Sequence, residues 1–160
     1  QSPSFYGLPL VLGGGEVKLL EMVSAYGVFA NDGVRLPPAS ILRITDSAGN
    51  VLEKKNTTPK RVLEPEVAQL ITDILSDNQA RAPIFGLNSP MYFASHRVAA
   101  KTGTTDNYRD GWIIGYTPSL AVGVWAGNND NTPMLNEPGI VMAGPIWRAF
   151  MEKVFEKGFN

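Results

Sequence analysis

The segment 101–105, Lys-Thr-Gly-Thr-Thr, combines three residue types that could hold a peptide substrate with an acidic end. The Lys101 ammonium supplies a positive charge, and the Thr102 hydroxyl can donate a hydrogen bond to a carboxylate. Gly103 has no side chain that would keep a ligand away from the backbone. These features suit a carbonyl substrate with an acid tail. The residue that would attack such a carbonyl is not obvious anywhere in the chain.

The segment 101–105 is predicted to continue a β-strand that begins with the short, largely apolar run 97–100. A turn-like stretch, Asp-Asn-Tyr-Arg-Asp at 106–110, separates it from two further strand candidates. Those candidates, residues 111–116 and 120–127, are joined by Thr-Pro-Ser, which favours an antiparallel hairpin. The last third of the chain therefore predicts three sequential antiparallel strands.

Three amphipathic helices are predicted from apolar residues that recur every three or four positions. The first follows the glycines at 13–15 and ends at the Asn-Asp-Gly of 31–33, where glycine can take the left-handed conformation. The second opens around Pro65 and the third near Pro145, because proline fits the first turn of a helix. Their apolar stripes are Leu19, Met22, Val23, Tyr26 and Phe29; Val67, Leu70, Ile71, Ile74 and Leu75; and Ile146, Trp147, Phe150, Met151, Val154 and Phe155.

The remaining segments are predicted to be a peripheral hairpin, a connector and a loop. Residues 40–45 and 51–55 predict two strands around an Asp-Ser-Ala-Gly-Asn turn. Residues 59–61 are a polar connector, and a loop that contains Pro83 and Pro90 leads towards Lys101. The expected fold class is α+β, an antiparallel sheet with flanking helices.

Composition excludes several classes of protein. The chain has 160 residues, 44% hydrophobic and 18% charged, which allows one packed core. Its 14 basic and 15 acidic residues give a net charge of −1, so we expect no nucleic-acid partner. It has no cysteine and a single histidine, His96, which excludes thiolate catalysis and multi-histidine metal sites. We expect no metal and no cofactor. No apolar run approaches ~18 residues, so no membrane-spanning helix is expected.

Several blocks of sequence, in order, resemble the transpeptidase domain of penicillin-binding proteins, in particular the bifunctional class that also carries a glycosyltransferase domain. The blocks are Leu-Gly-Gly-Gly-Glu-Val (12–17), Lys-Thr-Gly-Thr-Thr (101–105), Asp-Gly-Trp (110–112), Gly-Tyr-Thr-Pro (115–118) and Val-Trp-Ala-Gly-Asn (124–128). Residues 74–81 resemble the subgroup related to penicillin-binding protein 1C. The resemblance implies that residues 1–160 are the C-terminal portion of such a domain, which has the fold shared with serine β-lactamases.

The resemblance also implies the chemistry of acyl transfer. A serine in an S-x-x-K motif attacks the D-alanyl-D-alanine carbonyl of a peptidoglycan stem peptide, and an amine of a neighbouring stem then takes the acyl group. β-Lactams mimic the substrate and stall the enzyme at the acyl stage. The expected partners are therefore stem peptides and β-lactam antibiotics, and the expected location is the extracytoplasmic face of the bacterial cell membrane.

By this resemblance, four residues of the strand have separate roles. Lys101 sits opposite the nucleophile, where it maintains the positive potential and relays hydrogen bonds. Thr102 donates its hydroxyl to the terminal carboxylate of the substrate, and Gly103 lets the substrate lie against the strand. Thr104 contributes its backbone N–H to the oxyanion hole and its hydroxyl to the carboxylate.

No S-x-x-K motif exists in this chain, because none of its serines has a lysine three residues later. The acylating serine and its lysine are therefore expected upstream, in the missing N-terminal half of the same domain. That half is expected as a partner, either within one longer chain or as a second chain, and this chain alone is predicted to be inactive.

The run Ser76-Asp77-Asn78 matches a second superfamily motif in letters but not in position. It ends a predicted helix only 25 residues before Lys101 (101 − 76). Serine, aspartate and asparagine at a helix end are also ordinary capping and turn residues. We interpret the run as a chance match and expect the true motif upstream.

Other interpretations stay open beside these. Lys101 without the other sequence blocks is more typical of a solvated lysine at a strand end than of a site residue, and His96 is more typical of a loop histidine than of a catalytic base. A non-catalytic penicillin-recognising sensor, or a degenerate structural module, would keep the same fold. A D,D-carboxypeptidase or β-lactamase would share the fold and hydrolyse the acyl-enzyme.

Overall fold

The computed structural model of the chain describes residues 6–134 and 136–159. The helices are α1 (Leu19–Ala30), α2 (Pro65–Ser76), α3 (Asn78–Phe85), α4 (Gly139–Met142) and α5 (Gly144–Glu156). The strands are β1 (Val34–Arg35), β2 (Arg43–Thr45), β3 (Val51–Lys54), β4 (Lys60–Arg61), β5 (Ala99–Thr104), β6 (Asp110–Thr117) and β7 (Leu120–Gly127). Short 3₁₀ turns lie at Leu8–Leu12 and Asp106–Tyr108. The α+β expectation is confirmed.

The main sheet has three antiparallel strands in the order β5-β6-β7, as the sequence predicts. Thr104 pairs with Gly111 at one end of the β5–β6 ladder, and Ala99 pairs with Tyr116 at the other. The hairpin from β6 to β7 closes tightly, because Thr117 pairs directly with Leu120. Among the described strands, β5 and β7 are the edges of this sheet.

Helices cover both faces of the sheet, and on each face one of them approaches the sheet over a glycine. A Cβ built on Gly115 would overlap the ring of Trp147 in α5 and lie 2.8 Å from the Ala99 carbonyl oxygen. A Cβ on Gly123 would overlap Val23 of α1. The two glycines point to opposite faces, since successive strand residues alternate and Gly123 pairs with the residue before Gly115.

The core lies between the sheet and α5. Trp147 is fully buried, and its indole N–H donates to the carbonyl of Val122 at 3.1 Å. Around it is one apolar cluster formed by Met91, Phe93, Val98, Ala100, Ile113, Ala143, Trp147 and Met151. The cluster holds α5 against the face of the sheet onto which Ala100 projects from β5.

The opposite face carries a smaller aromatic cluster. Tyr26 and Phe29 of α1 contact Tyr116 with ring centroids 6.2 and 6.3 Å apart. The Tyr116 hydroxyl shares a 2.9 Å hydrogen bond with the Thr72 hydroxyl of α2. Burial raises the pKa of Tyr116 above its ordinary value. The cluster joins α1 and α2 to the end of β6.

Two expectations for the connecting segments are wrong. The segment with Pro83, predicted as a loop, contains helix α3, because the Asp77 carboxylate accepts a hydrogen bond from the Ala80 N–H and caps its start. The segment 59–61, predicted as a connector, contains β4, which forms two antiparallel residue pairs with β1. Neither feature has the apolar periodicity on which the predictions rest.

The predicted peripheral hairpin is confirmed as β2 and β3, with shorter strands than expected. The Asp46 carboxylate accepts hydrogen bonds from the backbone N–H groups of Ala48 and Asn50 at 2.9 and 2.8 Å. This aspartate therefore forms the turn, as the Asp-Ser-Ala-Gly-Asn pattern indicates. The first helix also ends as predicted, with Gly33 at φ 85°.

Replacing Gly115 by alanine tests the packing of α5 on the sheet. The added methyl would meet Trp147, so Gly115→Ala should lower the free energy of unfolding by about 1–3 kcal/mol. Gly27→Ala is the control, because nothing lies within 4 Å of its added Cβ in α1. That control should raise stability by up to about 1 kcal/mol. Urea unfolding of both variants measures the difference, and equal stabilities would contradict the packing.

Candidate active site

The residues predicted to hold a substrate lie on an accessible edge of the main sheet. Lys101 and Thr104 are exposed, and Thr102 and Gly103 are partly exposed. Strand β5 pairs with β6 on one side, and no described strand pairs with it on the other. The candidate site is thus not buried, and an extended peptide could reach it.

The backbone of β5 presents alternate residues to this open edge. The Thr105 N–H donates to the Asp110 carbonyl of β6 at 3.1 Å, so residue 105 faces β6. In an antiparallel ladder, residues two apart point their N–H and C=O groups to the same side. Thr102 and Thr104 therefore direct both groups away from β6. An outward carbonyl at 102 and an outward N–H at 104 are what an added strand would pair with.

The Lys101 ammonium lies at this edge and donates to the outward carbonyl of Thr102 at 2.7 Å. The ion pairs among the described residues join Arg97 to Asp73, Arg148 to Glu152 and Lys153 to Glu156, so none of them uses Lys101. Its charge is therefore available to a group outside this part of the chain. The Lys101 side chain lies on the same face of the sheet as the side chain of Ile114, its partner in β6.

Gly103 sits where a side chain would interfere. A Cβ built there would lie 3.3 Å from the Cβ of Trp112, which is tighter than most contacts of this kind. Gly103 and Trp112 are paired across the β5–β6 ladder, so a side chain at position 103 would project to the same face of the sheet as the Trp112 ring. With glycine at position 103, no side chain projects from the strand beside Lys101.

The Thr104 hydroxyl is held by helix α4, a contact that sequence reasoning missed. It accepts a hydrogen bond from the Gly139 N–H at 2.9 Å. A Cβ on Gly139 would overlap the Gly103 carbonyl oxygen and come within 3.0 Å of the Trp112 nitrogen, so α4 reaches the strand only because residue 139 is glycine. The Thr104 hydroxyl keeps its own proton for donation to a ligand.

The hydroxyls of Thr102 and Thr104 share one face of β5, and the Lys101 side chain lies on the other. The Lys101 ammonium is at the open edge, where it contacts the outward carbonyl of Thr102. A carboxylate at that edge could accept from the hydroxyls while a carbonyl oxygen accepts from the Thr104 N–H, with the ammonium across the strand. This arrangement suits recognition of a peptide by its backbone and its acid end.

The run Ser76-Asp77-Asn78 has structural contacts at the junction of α2 and α3. The Ser76 hydroxyl accepts from the Arg97 Nε at 3.0 Å. Asp77 caps α3, and the Asn78 amide donates to the Leu87 carbonyl at 2.8 Å. These capping and turn contacts are the ones that the sequence favours, and they support the interpretation as a chance match.

His96 lies in the loop before β5. Its ring stacks on Phe155 with centroids 3.9 Å apart, and its Nδ1 is 3.0 Å from the Ser95 hydroxyl. In the ranges 6–134 and 136–159, the structure shows no cluster of three or more His, Cys, Asp or Glu residues that could bind a metal ion. Within the same ranges, no helix is long and apolar enough to cross a membrane.

Comparison with known proteins connects this edge strand to a family. Residues 12–152 match the family described as the penicillin binding protein transpeptidase domain. Penicillin-binding protein 2D of Bacillus subtilis is 34% identical over 148 residues, which is 89% of this chain and 21% of that protein. Penicillin-binding protein 1A of Aquifex aeolicus is 34% identical over 151 residues, 91% of this chain and 20% of that protein.

Solved structures have the same fold. The PonA1 protein of Mycobacterium tuberculosis, in complex with penicillin V, is 29% identical and superposes with a TM-score of 0.81 over 95% of this chain and 42% of that one. The chain spans about a fifth of the length of the curated relatives named above. The resemblance to penicillin-binding proteins, with relatives of the 1A type, is confirmed. Because the match extends over residues 12–152, the chain belongs to the penicillin-binding protein transpeptidase domain family.

Proposed function

We propose that this chain supplies the lysine-bearing edge strand of a serine D,D-transpeptidase site. In such a site, peptidoglycan stem peptides that end in D-alanyl-D-alanine are cross-linked by acyl transfer, and β-lactams are bound in their place. The observation that carries the proposal is the open edge of β5. There the N–H of Thr104 points away from β6, the Lys101 ammonium donates to the outward carbonyl of Thr102, and residues 101–104 are exposed or partly exposed.

The chemistry divides between this chain and a nucleophile from outside it. A serine oxygen attacks the carbonyl carbon of the penultimate D-alanine, and the terminal D-alanine leaves as a free amine that takes up a proton. An amine of a second stem then attacks the ester and restores the serine hydroxyl. In both steps negative charge builds on the carbonyl oxygen, where an N–H donor such as that of Thr104 is most effective.

Each side chain of the strand has a share in that sequence. The hydroxyls of Thr102 and Thr104 bind the terminal carboxylate, which fixes the register of the substrate along β5. The Lys101 ammonium exchanges its contact with the Thr102 carbonyl for the proton relay between the serine and the leaving amine. Gly103 lets the substrate approach closely enough for both contacts.

We further propose that residues 1–160 are the C-terminal portion of the domain. The absence of S-x-x-K requires the serine to come from another segment. Three apolar side chains of α2 support this: Val67, Leu70 and Ile74 are 46%, 60% and 62% exposed, at the spacing of one helix face. An upstream half of the domain would bury such a face. By analogy with the family, the site works on the outer face of a bacterial cell membrane.

Lys101→Ala tests the proposal in the full-length protein. We expect the rate of covalent labelling by a fluorescent penicillin to fall at least about 100-fold, because the proton relay is lost. Lys157→Ala is the matched control, since it removes an exposed lysine at the end of α5. Unchanged labelling in the Lys101 variant would rule out the proposed role. A protein that is labelled but neither cross-links nor hydrolyses stem peptides would be a sensor.

The isolated chain should not be labelled by penicillin and should not stay a monomer. It lacks the serine, and the exposed face of α2 favours association with a second chain or with itself. Light scattering after size-exclusion chromatography measures the mass. A monodisperse, cooperatively unfolding monomer would contradict the expected association, and a stable acyl adduct would reveal a nucleophile in this chain.

Gly139→Ala should slow acylation of the full-length protein by about tenfold or more, because displacement of α4 removes the partner of the Thr104 hydroxyl. Gly144→Ala is the control. Its Cβ would lie 3.3 Å from the Cγ of Pro90, a ring that can shift, and so its acylation rate should change little. Stopped-flow kinetics with a chromogenic β-lactam gives both rates. Equal rates in the two variants would show that the α4 contact does not position Thr104.

A further inference from the structure

An aspartate at the start of β6 clamps the residue that follows the catalytic strand. One carboxylate oxygen of Asp110 accepts from the Thr105 hydroxyl at 2.6 Å. The Asp110 N–H donates back to the same hydroxyl oxygen at 3.0 Å, and the Thr105 N–H donates to the Asp110 carbonyl at 3.1 Å. Three hydrogen bonds thus fix Thr105 against a single residue of the neighbouring strand.

The second carboxylate oxygen of Asp110 is held by a residue of β7, on the side of β6 opposite β5. It accepts from the indole N–H of Trp125 in β7 at 2.8 Å. Asp110 is paired with Gly127 in the β6–β7 ladder, and a Cβ on that glycine would overlap the Trp125 ring. The missing side chain at 127 therefore lets the indole lie flat and reach the carboxylate. The clamp is anchored in the third strand of the sheet.

The loop that the clamp closes has a strained backbone. Asn107 and Tyr108 have φ values of 58° and 54°, in the left-handed region that bulky residues avoid. The Tyr108 N–H donates to the Thr105 carbonyl at 3.1 Å, and the Tyr108 carbonyl accepts from the Met134 N–H at 3.0 Å. Such a conformation persists only where surrounding contacts over-determine it. The bonds to Asp110 are among those contacts.

The clamp acts next to the proposed oxyanion donor. Thr104 is bonded directly to Thr105, and its own hydroxyl is held by Gly139 on one face of the strand. With Thr105 fixed by Asp110, the peptide groups on both sides of Thr104 have one orientation. An oxyanion donor must be aligned in advance, because a small misplacement weakens it in the transition state.

We propose that Asp110 is a positioning residue for acyl transfer, which acts through the Thr105 hydroxyl to aim the Thr104 N–H at the reacting carbonyl. This inference rests on the proposed function of the strand. It assigns no contact with substrate to Asp110 or Thr105. It predicts that loss of the clamp affects the acylation step and not the initial binding of a β-lactam.

The test compares three variants of the full-length protein. Thr105→Val removes the hydroxyl at nearly constant shape, and Thr105→Ser restores it. Thr132→Val is the matched control, because the Thr132 hydroxyl donates to the Asp130 carboxylate at 2.8 Å in the next loop, outside the clamp. Acylation by a chromogenic β-lactam is measured over a range of concentrations to separate the reversible dissociation constant from the acylation rate constant, and thermal unfolding is measured alongside.

For Thr105→Val we expect the acylation rate constant to fall by about tenfold or more, with the dissociation constant within about threefold of wild type. Thr105→Ser and Thr132→Val should both acylate at rates close to wild type. An unchanged rate constant in Thr105→Val would overturn the inference, and so would an equal loss in Thr105→Ser or in Thr132→Val. If Thr105→Val does not fold, Asp110→Asn takes its place, and an unchanged rate constant there overturns the inference.

Lys101→Ala, assayed in the same series, separates this inference from the function on which it rests. If that variant acylates normally, the proposed function fails and this inference fails with it. If Lys101→Ala abolishes acylation while Thr105→Val and Asp110→Asn leave it unchanged, the function stands and only the role of Asp110 is wrong.

Discussion

The structure depends on an edge strand that is open on one side and rigid on the other. An unpaired edge has backbone groups free for a ligand, but a strand with a single neighbour also moves more easily than a central one. In this chain β5 is stiffened along the ladder by β6, from one face by the Gly139 N–H, and at its end by Asp110. One side of the strand therefore leaves its backbone groups accessible to a ligand, while the contacts on its other side and at its end hold the backbone in one orientation.

The helices and the sheet approach each other closely, and this brings the contacts that hold β5 within hydrogen-bonding distance. At four positions of the sheet and of α4, glycine takes the place of a side chain that would separate two elements. They are Gly111, Gly115, Gly123 and Gly139. Gly111 and Gly139 lie back to back, since a Cβ on Gly111 would come within 3.2 Å of the Gly139 Cα. The short helix α4 can thus contact the backbone of β5 directly, without an intervening layer of side chains.

Much of this arrangement could be predicted from local patterns. The three strands follow from apolar runs separated by turn residues, and the residue types at 101–104 predict that the strand carrying them binds a ligand. Helix α3 was not predictable in this way, because Pro83 argues against a helix and the Asp77 cap has to outweigh it. The contact of Gly139 with Thr104 joins residues 35 positions apart. A sequence pattern contains no signal for such a contact unless the fold is already known.

The contact between the Lys101 ammonium and the Thr102 carbonyl has a second consequence, for solubility. Open strand edges are templates on which copies of a chain stack into fibrils, and nature often places a lysine there to discourage it. Here the ammonium covers the outward carbonyl that a foreign strand would need, and its charge would have to be dehydrated for stacking to proceed. Lys101, which is proposed to act in acyl transfer, therefore also opposes the stacking of further chains on this edge.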